Sequence, residues 1–144
     1  FSDIYWLNIA DRSIPFVGLI EQTNFVDPSK YGGKHILYIS NYLGEDSPLF
    51  NMKDSDLLDE YIPHLKKINP RFDRSWIEEW HYHKVAAAQP IIGTHYSERM
   101  PDHRTPFRGL YLANTTQIYP EDRGTNYSVR MGNEVAELVM EDLA

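Results

Sequence analysis

An α+β fold, a largely antiparallel sheet with one mid-chain helix and a long C-terminal helix, is predicted by three observations. Short β-rich runs separated by turn-forming residues occupy the chain up to Ser40. Apolar residues at helical spacing follow twice, after Asp54 and after Gly124. The order of elements also lacks the βαβα alternation that a doubly wound parallel sheet requires.

Residues 4–9 combine β-branched, aromatic and aliphatic side chains, and the turn formers Asp11, Arg12, Ser13 and Pro15 separate them from a second run, Phe16-Val17-Gly18-Leu19-Ile20. Asp27-Pro28 and Gly32-Gly33 bound a loop into a third run, His35 to Ser40, which completes an antiparallel meander. Leu57, Leu58, Tyr61, Ile62, Leu65 and Ile68 then share one helical face, with Asp54 and Ser55 placed to cap it and Asn69-Pro70 to end it. Pro63 lies inside that pattern, removes a donor and crowds the Asp59 carbonyl, which predicts a kink or break.

From Trp76 to Val85, Trp76, Trp80 and Tyr82 fall on one parity and Ile77, His81, His83 and Val85 on the other, the pattern of a long strand with unlike faces. Residues 93–108 read as a connection, and Gly109 to Asn114 as a short apolar strand. The final helix carries Gly132, Ala136, Val139 and Leu143 beside Met131, Val135 and Leu138, with Arg130, Glu134, Glu137 and Glu141 opposite. Gly132 is costly inside a helix unless close packing requires it. The sequence therefore predicts that the stripe of Val135, Ala136, Val139 and Leu143 is covered by the sheet, a second copy or another neighbour.

With 144 residues the chain is long enough to bury about two-thirds of its unfolded surface. Its formal charge of −7, with dispersed Lys and Arg, argues against nucleic acid, which needs a clustered basic surface. The absence of cysteine removes disulfides, thiolate metal sites and thiol nucleophiles. Its apolar runs fall short of the roughly 20 residues that span a bilayer. The reading places the protein in the cytoplasm and leaves peripheral membrane association open. The chain begins at Phe1 and enters a strand almost at once, as a piece of something longer would.

The chemistry-bearing residues are sparse. His81 and His83 would share a strand face and could chelate a metal if a carboxylate joined them, but they read as two histidines on a half-exposed face, so no metal is predicted. Asp56, Asp59 and Glu60 complement a helix N-terminus without needing a catalytic role. No Gly-x-Gly-x-x-Gly or Walker-type loop occurs. Tyr119 to Asn126 packs turn residues, charges and donors just before a helix. It reads either as a capped start, with Asp122 or Thr125 as the cap, or as a ligand site.

These residues carry a resemblance. Gly109-Leu110-Tyr111-Leu112-Ala113-Asn114, then Gly124, then Met131-Gly132, are similar to the late FAD-binding motif of the flavin-dependent amine oxidase superfamily, in its protoporphyrinogen oxidase and phytoene desaturase-like branch. Pro15-Phe16, Thr23-Asn24-Phe25, Gly33 to Tyr38 and Ala88-Gln89-Pro90 resemble its substrate-domain strands and the return to the cofactor domain. The family motif has Gly-Asp where this chain has Ala113-Asn114, and serine where it has Met131.

The resemblance implies a piece of a two-domain FAD oxidoreductase. Residues 1–90 would be part of the substrate-binding domain, and residues 91–144 a return segment that completes the FAD site. Asn114 would stand at the ribityl or pyrophosphate region, with Gly124, Thr125 and Asn126 facing the flavin pyrimidine edge. The implied cofactor is FAD in the complete protein, with none held by this chain alone, which would be inactive by itself. The implied partners are a missing N-terminal dinucleotide-binding domain and a small-molecule substrate, with a homodimer through exposed apolar surface as a further option.

No catalytic acid or base is assigned, since flavin carries the hydride chemistry. Two alternatives remain open: a self-contained α+β module that binds an apolar or peptide ligand on Trp76, Trp80 and Tyr82, and a small hydrolase using a His and carboxylate pair.

Overall fold

The computed structural model describes residues 1–144, which divide into two compact units, Phe1–Lys84 and Val85–Ala144. The architecture is α+β, with a three-strand antiparallel sheet, a mid-chain helix and a long C-terminal helix.

In the first unit, β1 (Trp6–Asn8), β2 (Gly18–Glu21) and β3 (Leu37–Ser40) form the meander in the order β1-β2-β3. The register pairs Leu7 with Leu19 and Leu19 with Ile39, so one face of the sheet is an aliphatic row that meets the core. The opposite face aligns Trp6, Ile20 and Tyr38. A Cβ at Gly18, where β2 passes β3, would lie 2.8 Å from Ser40 Oγ, so a side chain there would require that hydroxyl to move.

Helix α1 (Asp54–Ile68) buries Leu57, Tyr61 and Leu65, spaced four apart, against Phe16, Leu19 and Phe72. The Phe16 and Tyr61 rings meet edge-on at 5.1 Å. The Tyr61 hydroxyl accepts from Asn41 Nδ2 at 3.1 Å, and burial raises its pKa above the ordinary tyrosine value. Two details differ from expectation. The N-cap is Lys53, with Asp54 and Ser55 already helical. Pro63 neither ends nor divides α1, which runs unbroken to Ile68. Pro63 lies on the exposed side, where water can take up the Asp59 carbonyl that lacks a helical donor.

The segment Trp76–Val85 is not a strand. Arg74–Trp76 forms a 3₁₀ turn, and the chain then runs irregularly. Alternation is insufficient without a partner, and the sheet offers this segment no ladder. Side chains hold it instead: Ile77 and Tyr82 pack on the core, Lys34 pairs with Glu78, and Lys84 Nζ donates to the Phe50 carbonyl at 2.9 Å. Trp76 and Trp80 stay exposed while Tyr82 turns inward, so the three do not form the common aromatic face the binding-module alternative requires.

The second unit contains α2 (Thr125–Leu143) and a long, mostly irregular lead-in. The expected strand at 109–114 reduces to one isolated bridge, Arg104 to Tyr111. Turn chemistry at both ends prevails. Gly109, at φ +78°, takes the left-handed position of a turn closed by Leu110 N donating to the Phe107 carbonyl, and Asn114 opens a 3₁₀ turn over Thr115–Gln117.

Along α2 the inward row is Tyr127, Met131, Val135 and Leu138, of which Met131 alone is buried and the others half-buried. Val139 is half-buried, whereas Ala136 and Leu143 are exposed, so the expected covered stripe is only partly covered. A Cβ on Gly132 would meet nothing within 4 Å. Close packing is therefore not the reason for that glycine. No helix is long and apolar enough to cross a membrane.

Two substitutions test the packing of α1 in denaturant titrations. Leu65→Ala removes a side chain only 2% exposed and is expected to cost about 2–5 kcal/mol. Pro63→Ala restores a donor to the Asp59 carbonyl and is expected to stabilise by about 1–3 kcal/mol.

Candidate functional site

The second unit is organised by polar side chains. Gln117 is its hub. Its Nε2 donates to the carbonyls of Pro101 (3.2 Å) and Leu112 (3.1 Å), and its Oε1 accepts from the Asn114 main chain at 2.9 Å. His103 Nδ1 lies 2.9 Å from the Leu112 carbonyl and 3.0 Å from Gln117 Nε2. Both Gln117 amide hydrogens already have carbonyl acceptors, so the consistent arrangement places the proton on His103 Nδ1, donating to Leu112.

Asn114 caps the 3₁₀ turn. Its Oδ1 accepts from Thr116 N at 2.9 Å and Thr116 Oγ1 at 2.6 Å. The amide oxygen is therefore spent locally, while Nδ2 remains free to donate outward.

The start of α2 is built differently. Gly124 is the N-cap, in extended conformation, and supplies no side-chain acceptor. Neither predicted cap acts: Asp122 Oδ1 accepts from Arg123 N at 2.8 Å, and Thr125 is already the first helical residue. Glu121 pairs with Arg130 at 3.2 Å. Its pKa is lowered by its own main-chain N–H and then by Arg130. Arg123 donates to the Ala88 carbonyl beside a small recess of about 50 Å³ lined partly by Thr115, Ile118 and Asp122. The four sequence-derived contacts thus fall into two places, Asn114 at the 3₁₀ turn and Gly124, Thr125 and Asn126 at an uncapped helix start.

At the other end of α2, Arg104 clamps Asp142, with Nε to Oδ2 at 2.9 Å and Nη2 to Oδ1 at 3.0 Å, and Tyr111 donates to Asp142 Oδ2 at 2.7 Å. Arg104, then the Tyr111 hydroxyl, hold the Asp142 carboxyl below the ordinary aspartate value, and the same bond raises Tyr111.

The first unit holds a second concavity, a cleft of about 430 Å³ lined by residues that include Glu21, His35, Arg71 and Trp76. Sequence reasoning missed it because its walls come from four separated segments. Glu21 is 2% exposed, and its oxygens accept from the main-chain nitrogens of Phe1 at 2.6 Å and Ser2 at 2.7 Å. His35 Nδ1 lies 3.8 Å from Glu21, beyond hydrogen-bond reach. The neighbouring hydroxyl, Thr23 Oγ1, lies 3.4 Å from that same ring nitrogen. This is not the nucleophile–base–carboxylate chain a hydrolase needs. His81 pairs with exposed Glu79 at 3.1 Å, and no group of three potential ligands converges for a metal.

No protein-family model, curated protein or solved structure matches the chain.

The Arg104–Asp142 clamp gives a signed pH prediction. A carboxyl with a depressed pKa contributes stability above its unfolded value of 3.8 and loses it as the pH falls through the lower folded value. Arg104→Gln is therefore expected to melt below the parent at about pH 7, with the gap shrinking once the pH drops under about 4. A pH-independent gap in thermal melts would remove the clamp from the account.

Proposed function

We propose that this chain is the substrate-binding and C-terminal part of an FAD-dependent oxidoreductase of the amine oxidase type. On this reading the start of α2 faces the pyrimidine edge of the flavin. The observation that carries it is the open N-terminus of that helix, where a glycine N-cap leaves the first-turn N–H groups without a side-chain acceptor. The resemblance places the flavin at the same residues, Gly124, Thr125 and Asn126. Bound flavin would supply the hydride-accepting chemistry. The chain would supply a positive helix end to favour the negative charge on the reduced ring, and Asn114 Nδ2 as a donor toward the ribityl or pyrophosphate groups.

This reading assigns the exposed outer row of α2, with Val129 at 60% and Met140 at 63% exposure, to contact with a dinucleotide-binding domain. A second copy of the chain is the other partner that such a surface would suit. The substrate would be a small molecule, and the cytoplasm its setting.

The test is flavin content in the protein expressed with the coding sequence upstream of Phe1. The reading expects bound flavin, released on denaturation, and a colourless product overturns it. Gly124→Asp separates a flavin site from an ordinary helix start. An aspartate N-cap should change helix stability by only a few tenths of a kcal/mol, and in the favourable direction. Its carboxylate would nevertheless occupy the first-turn donors and repel the reduced flavin. The expected outcome is unimpaired melting with flavin lost; retained flavin places the cofactor elsewhere.

A further inference from the structure

We propose that the cleft of the first unit binds a small planar carboxylate, its anionic group held by Arg71 and His35 and its flat body laid on Trp76. The cleft, at about 430 Å³, falls within the range of small-molecule pockets. Most of its polar floor is already consumed. Both Glu21 oxygens are occupied, one by the Phe1 amino group in a salt bridge and one by Ser2 N, while Asn24 Nδ2 donates to the Ser2 carbonyl and Asn69 Nδ2 to the Phe1 carbonyl, each at 2.7 Å.

The groups left with spare capacity are donors. Arg71 has no carboxylate within salt-bridge distance, whereas nearby Arg74 is paired with Asp59 and Lys34 with Glu78. The indole N–H of Trp76 has no acceptor, and half of that side chain is exposed. At His35, Nδ1 lies 3.4 Å from Thr23 Oγ1, which also accepts from Ile36 N at 3.2 Å, and Nε2 has no hydrogen-bond partner. A cleft whose free groups are a guanidinium, an indole N–H and an imidazole N–H, beside an aromatic face, suits an acceptor-only head on a planar body.

The backbone that carries Arg71 and Trp76 is also held in place. Asn69 Oδ1 fixes Arg71 N at 3.0 Å, Asp73 fixes Ser75 N at 2.9 Å, and buried Phe72 anchors the chain between Arg71 and Trp76, meeting the indole edge-on at 5.9 Å. Asp3 and Glu21, both on the lining, are the opposing charges, and Glu21 is already paired with the Phe1 amino group at 2.6 Å.

The experiment titrates the full chain with benzoate and, in parallel, benzyl alcohol, following the Trp76 indole N–H resonance by NMR. Benzoate should shift it saturably, and the alcohol should not. Arg71→Gln should weaken benzoate about tenfold or more, Asp3→Asn should tighten it about two- to threefold, and Arg74→Gln should leave it unchanged. No saturable shift, equal response to the alcohol, or equal loss in the Arg71 and Arg74 variants overturns the proposal. Arg71 and Asp3 are exposed, and melting of each variant separates lost binding from lost folding. The readout needs no flavin, so it stands or falls apart from the cofactor assignment.

Discussion

A carboxylate 2% exposed has to be satisfied by its surroundings, and much of the first unit is arranged around that requirement at Glu21. An uncompensated buried charge costs several kcal/mol, more than most single contacts return. Glu21 lies on the same parity of β2 as Leu19, facing the core, so water is not its partner. The main chain of Phe1 and Ser2 is drawn against it to supply donors, and Asn24 and Asn69 take the two carbonyls that this placement turns away. The Phe1 ring then meets Phe72 edge-on at 5.7 Å. One polar obligation thus ties the segment before β1 to the turn after α1, 68 residues apart in sequence.

The second unit solves its problem by other means. It buries few large side chains, chiefly Ile118 and Met131, and its long lead-in has no ladder to satisfy its main chain. Gln117 compensates by collecting two carbonyls, Pro101 and the Leu112 carbonyl it shares with His103, and the Asn114 main-chain N–H. Arg104 and Tyr111, the two residues of the bridge that replaced the expected strand, are tied by their side chains to Asp142 on α2. The exposed Arg104–Asp142–Tyr111 links hold geometry but contribute modestly to stability, and with few large side chains buried beside them local opening should begin in this unit before the packed sheet and α1 yield.

Elements that advertise themselves by period were legible in the sequence. The three strands and both helices appear where alternation, breakers and helical spacing place them, because in those stretches the apolar residues and the backbone prefer the same structure. The failures are of another kind. Trp76–Val85 has strand alternation but no partner strand, and Gly109–Asn114 has apolar content between two turn formers. At Pro63 the local penalty was real, yet packing of Leu57, Tyr61 and Leu65 outweighed it. Site residues divide in the same way. The start of α2 could be named because it is contiguous, while the cleft of Glu21, His35, Arg71 and Trp76 exists only after the chain has folded.

The two helices differ in how their ends are treated, and the difference bears on what α2 is for. The first turn of α1 carries Asp54 and Asp56 and its last turn Lys66 and Lys67, so both ends of the macrodipole are complemented. In α2 the first turn has no acidic residue, and the last turn holds Glu141 and Asp142, the wrong sign for that end. Arg104 neutralises the C-terminal end from outside the helix. Nothing equivalent serves the N-terminal end, because Asp122 turns its oxygen back to Arg123 N and Glu121 is engaged by Arg130. Acidic residues therefore sit within two and three positions of Gly124 without capping the helix it begins. A helix under selection for stability alone would gain from an acceptor there, and leaving the positive end open is the arrangement that a negatively charged or electron-accepting ligand would use.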